Sequence, residues 1–304
     1  MSSTPPKSAS LTPADLFLAV LVVSVWGGNF IAAKEALHHF PPYYVTALRF
    51  CFVSLLLVPF VKMPPWREMK KIIMVSTTLG VGHLSMLFAA MSQGLDIAST
   101  ALMAQLGVPI ACALGAIFLN DKMGVWRMSG MAISFLGVVF LMGSPNVLNH
   151  LPAFFIALFA ATAWAVANII IKRIHGITIF AQLGWMAFFA VPQLLVISYF
   201  LEQNQIELTR SATIAVWSAL SYTVLGSTLL AYGLWYYLLK KYDISQIAPI
   251  TLLGPFVSIA IGHLVYGDPL TMPVILGSAL TILGVGIIVV RRPKFTNIGK
   301  SADS

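Results

Sequence analysis

The sequence predicts an all-α polytopic membrane protein in which ten transmembrane helices form two inverted five-helix repeats. Three observations lead there. Of the 304 residues 59% are hydrophobic and only 9% charged, with a mean hydropathy of +0.89. A soluble domain has roughly 45–50% apolar and about 25% charged residues, so this excess cannot be hidden in one core and lipid is the solvent. The apolar residues fall into ten runs of spanning length, and the second half of the chain repeats the first.

Residues 1–13, opening MSSTPPKSASLT, are polar and Pro/Ser-rich. They read as a disordered cytoplasmic tail, because a cleavable signal needs a short apolar core before a small-residue site. The first span, 14–33, has the roughly 20 residues a bilayer requires. The second and third, 42–61 and 71–91, flank Lys62, Arg67, Lys70 and Lys71. The fourth and fifth, 98–119 and 125–143, bracket Lys122, with Arg127 at the start of the fifth. Lys172 and Arg173 separate the sixth and seventh, 151–171 and 178–200; Lys240 and Lys241 separate the eighth and ninth, 211–238 and 244–266. The tenth, 270–290, leads into a basic cytoplasmic tail, 291–304, carrying Arg291, Arg292, Lys294 and Lys300. With Lys7, fifteen basic residues lie on one side against Lys34 and Arg210 on the other, while acidic residues split five and five. Basic loops stay cytoplasmic, so both termini of this multi-pass protein are expected there.

Shifting the chain by 147 positions pairs Asp96 with Asp243, Ile97 with Ile244, Ala101 with Ala248 and Gly107 with Gly254. The match runs on through Ala113/Ala260, Gly115/Gly262, Asp121/Asp268, Gly130/Gly277, Ala132/Ala279, Leu136/Leu283, Gly137/Gly284 and Val138/Val285. The twelve pairs named lie within 43 positions, where composition gives roughly four. A looser echo sets WGGNFIAAK (26–34) against WAVANIIIK (164–172) at an offset of 138. The repeat units are 14–143 and 151–290. Five spans is an odd number, so the second unit is inverted, a design of secondary transporters that place the substrate near the midplane between repeats. The alternative is duplication that only enlarged a bundle.

The polar residues inside the spans are the candidate site. Arg49 stands seven or eight residues into the second span, roughly 11 Å deep at about 1.5 Å per residue. An arginine near a helix centre costs about 2.5–3.5 kcal/mol on insertion scales. Facing a water-filled cavity, its planar fork suits a carboxylate; the other reading is a buried pair with Glu35. Trp26 and Asn29 stand three apart, and Trp164 and Asn168 four apart, so each pair shares a helix face. Amides bind polar substrate groups and indoles give a flat wall, or the four serve packing and interhelical bonding. His83, with Ser85 nearby, is either a proton relay or a neutral histidine bonded to a neighbouring helix. Gln105 is a substrate contact or interhelical glue. Ser227, Thr228, Tyr232 and Tyr236 follow helical spacing and form a candidate polar wall. Pro109 and Pro255, close after Gly107 and Gly254, interrupt the fourth and ninth spans as hinges or static bends. The runs SGMAISFLG (129–137) and GSALTILGVG (277–286) read as close helix-packing surfaces.

No Walker loop, nucleophile elbow or metal-ligand spacing occurs, and the basic residues form no nucleic-acid face. No enzyme, cofactor or metal is expected. Cys51 and Cys112 sit in apolar runs and imply no disulfide framework.

VWGGNFIAAKEALHHFPPYYVTALRF (25–50) resembles the opening hairpin of EamA-type transporters of the drug/metabolite transporter superfamily. ISFLGVVFL (133–141), YGLWYYLLKKYDISQIAPITLLGPFVSI (232–259) and LGSALTILGV (276–285) are similar to later segments of that family, and the likeness extends to bacterial exporters of O-acetylserine and cysteine. The resemblance implies ten spans, inverted repeats and efflux of amino acids or related metabolites across a bacterial inner (cytoplasmic) membrane. Where the family carries Gly-Glu at the ends of the fourth and ninth spans, this chain has Asp121 and Asp268. The expected partners are a small zwitterionic metabolite, the lipid bilayer and, if His83 relays them, protons, with the chain a monomer or homodimer. Other solutes (a nucleobase, sugar nucleotide or drug) and a non-transporting sensor or assembly partner are the competing readings.

Overall fold

The structure is a computed structural model describing residues 11–119, 124–242 and 247–290, with backbone alone at 118, 119, 236, 239, 240, 248 and 249. The tails beyond it, Asp121, Lys122, Asp243, Ile244 and the side chain of Tyr236 lie outside the described residues. Helix α1, Pro13–Leu37, starts where Thr12 accepts a hydrogen bond from the Asp15 N–H (3.2 Å) and Pro13 takes the first turn, a position with no need of a donor. Then follow α2 (Pro42–Phe60), α3 (Trp66–Ser92), α4 (Ile97–Gln105 continued by Gly107–Leu119), α5 (Val125–Met142), α6 (Leu151–Ile171) and α7 (Ile179–Leu201). The described part closes with α8 (Ile214–Ser221, continued through Tyr222–Leu230 and Ala231–Lys241), α9 (Ala248–Leu252 leading into Leu253–Tyr266) and α10 (Met272–Val290). Among the described residues nine helices are long and apolar enough to cross a membrane, and the apolar helix Ile250–Tyr266 is the tenth, shorter segment.

Helices at equivalent places in the two repeats pack on each other. The broadest contacts are α5 with α10 and α2 with α7. The small-residue runs make the α5–α10 seam. A Cβ added at Gly137 would lie 2.7 Å from the Gly277 carbonyl oxygen, and one at Gly277 2.8 Å from that of Gly137; Gly130 and Gly284 block each other in the same reciprocal way. Gly130 is equivalent to Gly277 and Gly137 to Gly284, so the seam is self-complementary, as packing about a pseudo-two-fold axis requires. Elsewhere the first helix of each repeat crosses the fourth of the other: α1 packs on α9, and α6 on α4.

Two departures from regular helix also recur. The fourth helix of the first repeat breaks at Leu106, and that of the second changes from 3₁₀ to α at Leu253, and these leucines are another identity at 147. Pro109 and Pro255 each become the third residue of the helix after the break, where a missing N–H costs no hydrogen bond. The sequence placed the interruption at the prolines; it lies just before them. The third helices, α3 and α8, are π-helical over Ser76–Ser85 and Tyr222–Leu230. Nothing in the apolar pattern announced this wider winding, which marks functional segments in other proteins.

Candidate functional site

Arg49 is the eighth residue of α2 and is 5% exposed. Its Nη2 donates to Thr228 Oγ1 at 3.1 Å, while Nε and Nη1 are buried without a hydrogen-bond partner. No ion pair involves it among the described residues. Glu35 is not its ion-pair partner: it lies in the last turn of α1, and no ion pair among the described residues includes it. Residues 179–201 of α7, the equivalent of α2, include no lysine or arginine, so this charge belongs to one repeat only.

Trp26 comes against Arg49's neighbours through α8. Its Nε1–H donates to the Ser227 carbonyl (3.2 Å), and its ring lies 5.3 Å from Tyr232 and 5.6 Å from Trp235. Tyr232 follows Thr228 by four residues, about one helical turn, along α8. Gly27 and Gly28 allow this approach: a Cβ on the first would meet Val257 of α9 at 2.7 Å, and one on the second would meet the Tyr222 hydroxyl at 2.7 Å. That hydroxyl donates to the Val25 carbonyl (3.0 Å). One turn on from Trp26, Asn29 holds a buried Oδ1 with no partner.

His83 lies on the π-helical stretch of α3, buried, with Nδ1 2.9 Å from the Ala160 carbonyl of α6. A carbonyl only accepts, so the proton sits on Nδ1. Ser85 bonds back to the Val81 carbonyl of its own helix (2.6 Å). Trp164 covers the α4 break, where a Cβ on Gly107 would fall 2.5 Å from its ring, and Gln105 is the last residue before that break. Asn168 donates to the Trp164 carbonyl (2.8 Å), four residues back. Trp26 and Tyr232 therefore meet beside Thr228 on α8, Arg49 is bonded to Thr228, and His83 is bonded to α6. Trp164, Gln105 and Asn168 form a second group at the α4 break, and Asn168, unlike Asn29, bonds to its own helix. Trp235 and Tyr222 were not picked out from sequence; the aromatic run YGLWYY (232–237) opposite a WGG motif was the available signal.

Ion pairs tie the repeats at both ends of α1. At one, Lys34 Nζ lies 3.5 Å from Asp268 Oδ1 and 4.1 Å above the Tyr266 ring. Asp268 Oδ2 also accepts the Ile97 N–H (3.1 Å) at the start of α4. Next to it, Asp96 caps α4 through the Ser99 N–H (2.6 Å), and burial pushes its carboxyl up from the usual range against that bond. At the other end Asp15 Oδ2 accepts from Lys241 Nζ (2.7 Å), Tyr242 Oη (2.6 Å) and Thr12 Oγ1 (2.6 Å). The Asp15 carboxylate holds the Lys241 ammonium above the usual lysine range.

The profile of the EamA-like transporter family matches residues 14–143 and again residues 151–290. A Salmonella typhimurium protein described as a probable amino-acid metabolite efflux pump is 31% identical over 90% of this chain and 94% of its own length. An Escherichia coli K12 protein of the same description is 29% identical, over 90% and 94%. A Bacillus subtilis protein described as an uncharacterized transporter is 27% identical over 88% of this chain and 93% of its own. A solved crystal structure superposes with a TM-score of 0.61, covering 90% of this chain and 96% of its own at 16% identity, a likeness that speaks to fold alone.

Proposed function

The chain belongs to the EamA-like transporter family, and on that premise we propose that it exports small zwitterionic, amino-acid-like metabolites across a bacterial inner membrane by alternating access. The observation that carries this reading is Arg49, buried in α2 with Nε and Nη1 unpartnered. Leaving donors of a buried cation unpaired is costly; a ligand that supplies the missing acceptors recovers that cost on binding. A carboxylate fits the fork. Asn29 Oδ1, buried and without a donor among the described residues, is the acceptor an ammonium hydrogen needs, and a zwitterion carries both kinds of group. Trp26 and Tyr232 supply apolar walls. His83, Gln105, Trp164 and Asn168 complete the candidate set, with His83 the candidate proton carrier. The descriptions of the Salmonella and Escherichia coli relatives, and the resemblance to O-acetylserine and cysteine exporters, support this substrate class.

The test is efflux from proteoliposomes loaded with labelled amino acids and O-acetylserine. Arg49→Leu, checked for correct insertion, is expected to slow export at least about ten-fold, the scale of one lost charge-assisted bond. Unchanged efflux would remove Arg49 from the site.

A further inference from the structure

We propose that Thr228 is a positioning residue that presents one intact edge of the Arg49 fork to the substrate carboxylate, so that the binding group is set by both repeats together. This rests on the substrate reading given above. Arg49 comes from the first repeat and Thr228 from the π-helical stretch of α8 in the second. The Thr228 hydroxyl has one proton, and it is committed to the Thr223 carbonyl five residues back (2.9 Å). An ordinary α-helical hydroxyl bonds three or four residues back; the wider winding makes the five-residue bond. With its proton used there, Thr228 Oγ1 faces Arg49 as a pure acceptor, and the Arg49 Nη2 hydrogen at 3.1 Å is what it accepts.

The consequence follows from guanidinium geometry. Nη2 carries two hydrogens, one on the edge it shares with Nε and one on the edge it shares with Nη1. Thr228 occupies a single hydrogen, so the opposite edge keeps two parallel N–H groups. Nε and Nη1 are both without partners among the described residues, so whichever edge is left is complete for bidentate carboxylate binding. Removing the hydroxyl leaves the charge in place but frees the fork to rotate. Carboxylate affinity then falls, while solutes lacking a carboxylate are unaffected.

The experiment uses full-length protein in liposomes and counterflow with a labelled panel of amino acids and O-acetylserine, each beside its decarboxylated amine. For the best-carried carboxylate, Thr228→Val and Thr228→Ala are expected to raise KM about ten-fold, the loss of one bond to a charged group, with little change in maximal rate. Thr228→Ser keeps the hydroxyl and restores the parent KM, and the amines show no change in any variant. Two hydroxyl-free variants guard against one that fails to insert. If Arg49→Lys raises the carboxylate KM and neither hydroxyl-free variant does, the positioning role is wrong while the substrate reading stands. Equal losses for carboxylates and amines also overturn it, as does failure of serine to rescue. If the parent chain carries no panel member, or Arg49→Lys leaves the carboxylate KM unchanged, the substrate reading itself falls.

Discussion

Arg49 was legible in the sequence because a guanidinium two turns inside an apolar helix has few explanations. That no carboxylate among the described residues pairs with it was not, since pairing across a fold leaves no local trace. The two tryptophan–asparagine pairs looked alike from their spacing, yet Asn29 Oδ1 is unpartnered and Asn168 bonds to Trp164. A side chain's choice between its own helix and a ligand depends on neighbours that spacing does not describe. The equivalent glycines Gly107 and Gly254 diverge in the same way. A Cβ on Gly107 would strike the rigid Trp164 indole at 2.5 Å, whereas one on Gly254 would meet only Val23, at 3.6 Å. Alanine gains up to about 1 kcal/mol of helix propensity at either place, but overpacking costs about 1–3 kcal/mol. Gly107→Ala should therefore lower the melting temperature of the purified protein, and Gly254→Ala should hold or raise it. Equal melting would show that Trp164 yields.

Among the elements, the ten apolar runs and the offset of 147 were readable because lipid demands length and duplication preserves glycine positions. Helix ends were less so: α1 runs on to Leu37 and α3 begins at Trp66, since amphipathic turns at the bilayer surface resemble loops in composition. The π-helical stretches were invisible, because slipping a bond from i−4 to i−5 changes no residue type. The small-residue runs of α5 and α10 were readable as close packing surfaces, though not as each other's partner, and the symmetry of the seam they make gives a sharp test. A Cβ at Gly284 would meet Ser134 and Gly130, including the Ser134 backbone nitrogen at 2.5 Å; one at Gly286 would meet only the flexible end of Leu252 at 3.4 Å. Backbone cannot step aside as a side-chain tip can. Gly284→Ala is expected to destabilise the protein by at least about 1 kcal/mol, and Gly286→Ala to be near neutral. Thermal unfolding in detergent reads the difference, and a matched pair of melting curves would mean the seam is looser than drawn.

At the scale of the whole molecule, α1 bears a latch at each end. Asp15 and Lys34 are separated by 19 residues, about 28 Å of helix, close to the roughly 30 Å of a hydrocarbon core. One latch therefore sits at each membrane face, and each ties α1 of the first repeat to the second, Asp15 to Lys241 and Lys34 to Asp268. Both are closed in this structure. Alternating access requires that they open one at a time, since a path open at both ends is a leak. In each the lysine is partly exposed (40% of the Lys241 side chain, 26% of the Lys34 side chain) while its aspartate is buried (5% and 10%), so each opens only where water reaches the carboxylate it uncovers. The expectation is that neutralising one latch biases the molecule toward opening on that face alone. With Cys51 and Cys112 replaced by alanine, a single cysteine is placed at Asn29 and labelled with a membrane-impermeant thiol reagent. Asp268→Asn should speed labelling from the face bearing Lys34, and Asp15→Asn from the face bearing Lys241, each leaving the opposite rate unchanged or slower. Faster labelling from both faces in either variant would mean that the latches hold the bundle together and do not gate it.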